Sequence, residues 1–358
     1  MKKIAIFGGS FNPITYGHLK IARYAIQALN LDQLIFVPTF QSPFKKNQTM
    51  ASAQNRIDMI ELILEDKMSI SDFEIKRKGT SYTIDTIKYF KNKYPDAELF
   101  LIIGSDHLAK LPKWKEIDLI SKLSQICVFK RDKNINKTNI KKFNALLFDN
   151  PINIESSTRF IQGNFFDVDP KVLAYIGKHK IYFEKILETN LSQKRYLHSL
   201  HARDYAISLA KSLNFDPAVA GFSALVHDIA KEIGPDVAKQ LIQKYEPESI
   251  NIDSYQLHQE VGYIILKHIF NVEESICNSV RVHTSLALEL SLLDKIVFMA
   301  DKLCIGRKWE GIQKIRDLSL NDFDQALKFV VNYTKMFNLN KGIKLTKEQE
   351  KIYQKWID

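Results

Sequence analysis

The pattern of apolar residues changes once along this chain, and that change limits its possible folds more than any other feature. In the first half, short apolar runs alternate with amphipathic segments whose apolar residues recur at helical spacing. Four runs predict buried parallel strands, at Lys3–Phe7, Leu34–Val37, Leu99–Ile103 and Ile126–Phe129. Three segments predict helices, at Leu19–Leu29, Ala53–Leu64 and Thr83–Tyr94. This alternation predicts an α/β doubly wound parallel sheet, which binds ligands at the carboxyl ends of its strands.

From about Lys194 onward the pattern is helical only, so the second half should be all-α. Six segments predict helices, at Tyr196–Leu213, Pro217–Glu232, Ser254–Ile269, Glu274–His283, Leu292–Leu303 and Asp322–Met336. A chain of 358 residues exceeds the usual size of one domain. We therefore expect two domains, residues 1–187 and 188–358, which join between Ile181 and Ser192.

The N-terminus and the cysteines indicate the compartment. The basic start is followed by only four apolar residues, Ile4–Phe7, which is too short for a signal peptide. No apolar run approaches the roughly 20 residues that span a bilayer. The three cysteines are widely spaced in apolar stretches, as reduced core cysteines are. We expect a cytoplasmic protein that does not bind membranes.

The net charge of +10 lies mostly in the first half, which makes that half the better candidate for a polyanionic ligand. Nucleoside triphosphates and nucleic acids both meet this description. The basic stretches, such as the lysines at 45–46 and those between 130 and 142, are not interleaved with aromatic residues, and they form no recognised nucleic-acid module. We therefore expect small nucleotides rather than nucleic acid.

A glycine-rich turn, Gly8–His18, follows the first predicted strand and opens a helix. Glycines there let the backbone approach a phosphate closely, and the helix N-terminus supplies free N–H groups. His18, one turn into the helix, could donate a hydrogen bond to the same phosphate, and Thr15 could add its hydroxyl. The segment predicts an anion-binding site.

Four motifs in order resemble those of a known superfamily. Thr15-Tyr16-Gly17-His18 matches the Thr-or-His, x, Gly, His motif of Rossmann-like nucleotidyltransferases, and the likeness is strongest to bacterial nicotinate-nucleotide adenylyltransferases. The supporting stretches are Gly79–Thr86, Ile102–Asp106 with Trp114 beyond it, and Ile154–Arg159. Two positions depart from the family: Ile161 stands where its last motif usually has arginine, and Phe44 stands where histidine is common.

The resemblance implies that the phosphate of nicotinate mononucleotide attacks the α-phosphate of ATP, which is bound with Mg²⁺, and expels pyrophosphate. It implies catalytic roles for His18 and Thr15. The implied binding residues are Gly8, Gly9, Ser10, Phe11, Lys45, Thr83, Gly104, Asp106, Trp114, Ser157, Thr158 and Arg159. Nicotinamide mononucleotide, or another acceptor such as phosphopantetheine, remains an alternative for this domain.

The second half carries a series of metal-ligand residue types on predicted helices: His198, His227, Asp228, His258, His283 and Asp301. Imidazole and carboxylate together suit Fe, Mn, Co or Zn better than Ca²⁺. The adjacent His227 and Asp228 are the most informative pair, because an apolar helix has no packing reason to carry both.

This series resembles the HD superfamily of metal-dependent phosphohydrolases, whose basic set is His, then His-Asp, then a distant Asp. Two further histidines mark its two-metal members. Leu292–Ile296 and Ala300–Lys302 make the likeness strongest to symmetrical bis(5′-nucleosyl)-tetraphosphate hydrolases.

The resemblance implies two divalent metals, iron or manganese, with Asp228 as a bridging catalytic ligand and Lys231 and Arg307 on substrate phosphates. The implied substrate is diadenosine tetraphosphate, cut to two ADP. Nucleoside monophosphates, cyclic nucleotides and guanosine alarmones remain alternative substrates.

Overall fold

A computed structural model describes the chain except residues 42, 44–49, 132, 134, 136, 250, 251, 253 and 254. The predicted phosphate contact Lys45 and the start of the predicted helix Ser254–Ile269 lie outside the described residues. The chain divides into two compact units, Met1–Val172 and Leu173–Asp358. The functional boundary near residue 187 stays a prediction.

The first unit is built on a parallel sheet of six strands in the order β3-β2-β1-β4-β5-β6. The strands are β1 (Lys3–Gly9), β2 (Gln33–Pro38), β3 (Met68–Ile70), β4 (Glu98–Gly104), β5 (Gln125–Phe129) and β6 (Leu146–Phe148). The doubly wound α/β class is confirmed, and all four predicted strands lie inside observed ones. Because the strand order reverses between β1 and β4, their carboxyl ends flank the crevice where such sheets bind ligands.

Short helices connect the strands of this unit. They are α1 (Tyr16–Ala28), α2 (Ala53–Glu61), α3 (Phe73–Arg77), α4 (Thr83–Lys93), α5 (Ile117–Leu123), α6 (Thr138–Lys142) and α7 (Ser157–Ile161). Two 3₁₀ segments, Ser105–Lys113 and Phe165–Asp167, complete it, and α8 (Pro170–His179) follows. Helix α1 begins three residues earlier than predicted, because Thr15 caps it in an extended conformation.

The described residues of the second unit contain helices and no strand, which confirms the all-α prediction. Its helices are α9 (Phe183–Asn190), α10 (Gln193–Ser212), α11 (Pro217–Val226), α12 (Pro235–Tyr245), α13 (Leu257–Ile264), α14 (Glu274–Val282), α15 (Leu292–Leu303), α16 (Ile312–Asn321), α17 (Phe323–Asn340) and α18 (Lys347–Ile357). A π-helical segment, Ile265–Ile269, continues α13. No helix in the described part of the chain is long and apolar enough to cross a membrane.

Two predicted helices of the second unit end well before their predicted residues. The segment Pro217–Glu232 is helical only as far as Val226, and turns occupy the six residues that follow. The apolar pattern continued past the helix end because Ile229 and Ala230 are buried in those turns. The predicted helix Ser254–Ile269 changes from α to π geometry at Ile265.

Candidate active sites

The turn between β1 and α1 sets the tautomer of His18. The backbone N–H of Thr15 donates to Nδ1 of His18 across 3.1 Å, and the Thr15 hydroxyl lies 2.9 Å from the same nitrogen. Nδ1 is therefore an acceptor, and the ring proton sits on Nε2. This arrangement makes Nε2 a hydrogen-bond donor for a ligand, and it uses Thr15 to hold the ring rather than to reach the ligand itself.

Apolar rings keep His18 uncharged. Its ring packs against those of Phe7 and Phe11, with centroids 6.2 and 5.2 Å away. Burial, and then the nearby Arg131 cation, lower the pKa of His18 to about 3. Phe11 is itself only 1% exposed, so a ligand would meet its backbone rather than its ring. The site therefore offers a neutral donor at physiological pH.

A close approach joins α1 to the segment before α7. A Cβ atom on Gly17 would lie 2.2 Å from the carbonyl oxygen of Glu155, so only glycine fits there. The hydroxyl of Ser157 donates to the carbonyl of Pro13 across 2.8 Å. The structure thus brings Ser157 and the exposed Thr158 beside the glycine-rich turn, where the sequence predicted a shared phosphate site.

Arg159 makes a contact that the sequence did not predict. Its Nε donates to Asp167 across 2.9 Å, and its guanidinium also reaches Asn164 at 3.1 Å. Asp167 also accepts a hydrogen bond from the Ser156 backbone. The ion pair ties the start of α7 to the 3₁₀ segment behind it.

Gly104 ends β4, and Asp106 follows it beside a cation that sequence reasoning missed. Nε of Arg131 lies 3.6 Å from Asp106 Oδ1, and the Arg131 backbone N–H is held by the Ser105 hydroxyl. A Cβ on Gly104 would meet Asp106 Oδ1 at 2.4 Å, so glycine makes room for this pair. The available signal was position, since Arg131 comes two residues after the carboxyl end of β5.

Thr83 and Trp114 lie on neighbouring segments. Thr83 is the first residue of α4, and Trp114 ends the 3₁₀ segment after β4. The Lys115 ammonium lies 4.9 Å from the ring centre of Tyr82, which joins the two segments. The indole N–H of Trp114 is buried without a hydrogen-bond partner among the described residues.

The remaining predicted contacts are backbone positions of the turn. A Cβ on Gly8 would have no atom within 4 Å, so its backbone faces open space, while Gly9 packs against the ring of Phe11. The carbonyl of Ser10 accepts a hydrogen bond from Arg56 across 2.8 Å. Arg56 is 2% exposed and was not singled out from the sequence. This hydrogen bond from a buried side chain holds the turn in place.

In the second unit, the six predicted metal ligands converge on one buried cluster. Three overlapping groups have ligand atoms within 4.8 Å of one another: His198 with His227 and Asp228, His227 with His283 and Asp301, and Asp228 with His258 and His283. His198, His258 and Asp301 lie on three helices, α10, α13 and α15. His227 and His283 cap α11 and α14, and Asp228 lies in the turn after α11. The chain therefore has a possible His/Asp metal site.

Two of the histidines are fixed in the tautomer that binds metal. Nδ1 of His227 donates to the carbonyl of Ala224, and Nδ1 of His283 donates to that of Val280, each across 2.6 Å. Both Nε2 atoms therefore present a lone pair to the cluster. Nε2 of His227 and Oδ1 of Asp228 are buried without a hydrogen-bond partner in the described part of the chain. Such orphaned acceptors fit a bound cation.

Burial and mutual attraction set the charges of the cluster. Burial lowers the pKa of His227 to about 4 and, with the neighbouring His283, that of His258 to about 2. Burial opposes ionisation of Asp228 and Asp301, but the surrounding imidazoles and the ammonium groups of Lys231 and Lys302 hold both carboxyl pKa values well below their usual range. Neutral imidazoles and ionised carboxylates are the forms that bind metals.

Cations surround the carboxylates. Lys231, predicted to bind phosphate, lies 3.4 Å from Asp228 and 2.8 Å from Nε2 of His258. Arg307 donates to both the backbone and the side chain of Asp301. Lys302, which was not singled out from the sequence, lies 2.6 Å from Asp301. These groups could receive substrate phosphates at the edge of the cluster.

His198 has an outer partner of a different kind. Its Nε2 lies 2.9 Å from Asp301 Oδ1, while its Nδ1 lies 3.4 Å from the sulfur of Cys304. Burial opposes protonation of this ring, but its contacts with Asp301 and Cys304 raise the pKa of His198 to about 9. In His227 and His283, Nδ1 contacts a backbone carbonyl instead of a sulfur atom.

Comparison with known proteins agrees with both family resemblances found in the sequence. The chain matches the Cytidylyltransferase-like family over residues 6–163 and the HD domain family over residues 195–305. A probable nicotinate-nucleotide adenylyltransferase/Ap4A hydrolase from Mycoplasma pneumoniae is 32% identical over 94% of this chain and 100% of its own length. A protein of the same description from Mycoplasma genitalium is 35% identical over 93% of this chain and 99% of its own.

One solved structure that resembles the chain is an HD superfamily hydrolase from Clostridium acetobutylicum, with 31% identity and a TM-score of 0.45 over 49% of this chain and 95% of that one. The two relatives from Mycoplasma, which align along nearly the whole chain, decide the assignment. The chain is an enzyme with a nucleotidyltransferase unit and an HD hydrolase unit, and it belongs to the family of bifunctional nicotinate-nucleotide adenylyltransferase/Ap4A hydrolases.

Proposed function

We propose that the first unit transfers AMP from ATP to nicotinate mononucleotide. The mononucleotide phosphate attacks the α-phosphorus of ATP, the bond to the α,β-bridging oxygen breaks, and pyrophosphate leaves. The observation that carries this proposal is the neutral His18 donor beside an open glycine backbone. The description of the two full-length relatives supports the choice of acceptor.

In this reaction the chain orients two anions and offsets their charge, and it needs no nucleophile of its own. Nε2–H of His18 would donate to the α-phosphate, and the Gly8–Gly9 backbone would lie against the same group. Orientation of two reactants can supply roughly 7 to 11 kcal/mol of the barrier, and one preorganised donor roughly 3 to 4 kcal/mol. Asp106 would bind ribose hydroxyls, and Trp114 and Thr83 would bind the pyridine ring and its carboxylate.

We propose that the second unit hydrolyses diadenosine tetraphosphate symmetrically, by addition of water across the central phosphoanhydride bond to give two ADP. His198, His227, Asp228, His258, His283 and Asp301 would hold two divalent cations, iron or manganese. Such a pair would supply Lewis acidity and lower the pKa of bound water toward about 7. Lys231, Lys302 and Arg307 would bind the phosphates that flank the cleaved bond.

The transferase proposal is tested by the choice of acceptor. The purified protein is incubated with ATP, Mg²⁺ and either nicotinate or nicotinamide mononucleotide, and the dinucleotide is separated by chromatography. We expect the acid to give the higher kcat/KM. A preference for the amide would replace the acceptor and leave adenylyl transfer in place.

The hydrolase proposal is tested by the products. The protein reconstituted with iron or manganese is incubated with diadenosine tetraphosphate, and we expect ADP as the only nucleotide product. ATP with AMP would show asymmetric cleavage. No turnover, together with cleavage of a nucleoside monophosphate, a cyclic nucleotide or a guanosine alarmone, would replace the substrate.

A further inference from the structure

An open cavity of about 570 Å³ lies in the second unit beside the metal-ligand cluster. It is lined by the segment that follows Asp301, including Arg307, Lys308 and Trp309, and by Ile312 and Arg316 of α16. Its volume is within the usual range of roughly 300 to 1,000 Å³ for small-molecule sites. None of the predicted metal ligands lines it, so it is distinct from the cluster itself.

Arg307 connects this cavity to the cluster. Its Nε donates to the carbonyl of Asp301 across 2.8 Å, and its guanidinium lies 3.3 Å from Nε2 of His198. Gly306 has a positive φ of 95°, which lets the chain turn back sharply after α15 and point Arg307 toward the cluster. A ligand with a phosphate at Arg307 could therefore extend from the cluster into the cavity.

Trp309 is held as a flat platform on the cavity wall. Its indole stacks on Tyr333 of α17, with centroids 4.4 Å apart and planes 23° from parallel, and Phe329 extends the stack. Arg316 fixes the same loop by donating to the carbonyls of Leu303 and Cys304 across 2.7 and 2.9 Å. The indole plane is thus oriented before any ligand binds.

The chemistry of the lining selects a class of ligand. Arg307, Lys308 and Arg316 are positive and only Glu310 is negative, so the cavity favours an anion. The indole of Trp309 and the side chain of Ile312 favour a flat apolar ring. An aromatic platform combined with cations that track a phosphate chain is the usual means of binding an unpaired nucleotide.

We propose that this cavity binds one nucleoside end of the polyphosphate substrate, with the purine base stacked on Trp309 and the phosphate chain passing Arg307 toward the cleaved bond. The inference rests on the proposed hydrolase function, which it deepens by locating a specificity-determining residue. Trp309 would hold the nucleoside away from the cluster, so that the phosphate chain lies across the metal ligands.

A binding test isolates this site from turnover. The chain has three tryptophans, so Trp114→Phe with Trp356→Phe leaves Trp309 as the sole tryptophan in the full-length protein. We expect ADP to quench its fluorescence saturably, and inorganic pyrophosphate with ribose 5-phosphate to leave it unchanged. Equal responses to the two, or no response to ADP, would overturn the proposal.

A kinetic test uses a matched pair of aromatic variants. Trp309→Ala should raise KM for diadenosine tetraphosphate roughly 10-fold or more with little change in kcat, and Trp309→Phe should restore part of the loss. Phe329→Ala removes another ring of the same stack that does not line the cavity, and its KM should stay near that of the parent protein. An equal rise in KM for the two alanine variants would mean that Trp309 acts only through packing.

The two tests also separate this inference from the proposed function. Quenching by ADP without hydrolysis of diadenosine tetraphosphate would keep the nucleoside site and remove the proposed substrate. Normal symmetrical hydrolysis by Trp309→Ala, with an unchanged KM, would remove the nucleoside site and keep the substrate.

Discussion

The hydrogen bond from the Thr15 backbone decides which nitrogen of His18 can donate. The residue types and spacing at Thr15–His18 predicted a phosphate-binding histidine, and the structure adds the tautomer and the apolar rings. The apolar environment depends on Phe7 and Phe11, whose packing against an imidazole has no signature in the sequence. The sequence therefore carries the identity of the phosphate-binding residue, and folding creates its environment.

A pH prediction follows from that environment. Because its pKa is lowered to about 3, His18 should stay neutral from pH 5 to 8, with its proton on Nε2. The unfolded chain, with a histidine pKa near about 6.5, binds this proton more readily. The contribution of His18 to the free energy of unfolding is therefore fully present above about pH 6.5 and falls on acidification toward about pH 3.

The measurement is the ¹⁵N and ¹³C chemical shifts of the His18 ring in labelled protein across that pH range. His18→Gln identifies the resonance and should abolish this part of the pH dependence of unfolding. A ring that titrates near its ordinary pKa, or that carries its proton on Nδ1, would contradict the prediction.

The second site shows which contacts lie beyond sequence reasoning. The six predicted metal ligands could be named from their types and order, but His198 and Asp301 meet across 103 positions. The outer contacts of His198, among them Cys304 and Arg307, form only when α10 and α15 pack together. Lys302 and Arg131 were missed for the same reason. Each is a common surface residue type, and only the folded chain shows which carboxylate it contacts.

At the scale of elements, helix ends place the chemistry. The sequence predicted His227 and His283 on helices, but both residues cap helices instead. There each Nδ1–H reaches the carbonyl three residues earlier. The presence of the predicted helices was indicated by apolar spacing, whereas the last residue of a helix was not, because buried turns continue the apolar pattern. The edge strands β3 and β6 were missed because three residues are too few to show a pattern.

The packing of α1 against the segment before α7 should be required for adenylyl transfer. Gly17→Ala would place a Cβ 2.2 Å from the Glu155 carbonyl, so the two elements must separate. Because a misplacement of about 1 Å can cost roughly 100-fold in rate, we expect adenylyl transfer to fall by about that factor. The hydrolase activity should not change.

Gly234→Ala is the matched control, because a Cβ there has no atom within 4 Å and the backbone φ is −61°. Its transferase rate should equal that of the parent protein. Full transferase activity in Gly17→Ala would show that the close approach of α1 does not position the phosphate site.

The whole molecule carries two centres of different chemistry, and each is built from residues of one compact unit. In the proposed function the first orients anions with the neutral imidazole of His18 and backbone N–H groups, and the second collects carboxylates and imidazoles that suit cations. The change in apolar pattern near Lys194 predicted this division into α/β and all-α parts. The same pattern predicted the boundary only to within Ile181–Ser192, because helical spacing continues through α8 and α9.

Separate centres predict separable activities. His18→Ala removes the proposed donor to the α-phosphate, so transfer should fall about 100- to 1,000-fold while hydrolysis is unchanged. Asp228→Asn removes the carboxylate that lies within 3.6 Å of His227, His258 and His283, so metal content and hydrolysis should be lost while transfer is unchanged. Both rates are measured on each full-length variant, with metal content by atomic spectroscopy. Each variant serves as the folding control for the other, and a parallel loss of both activities in either one would mean that the two centres are not independent.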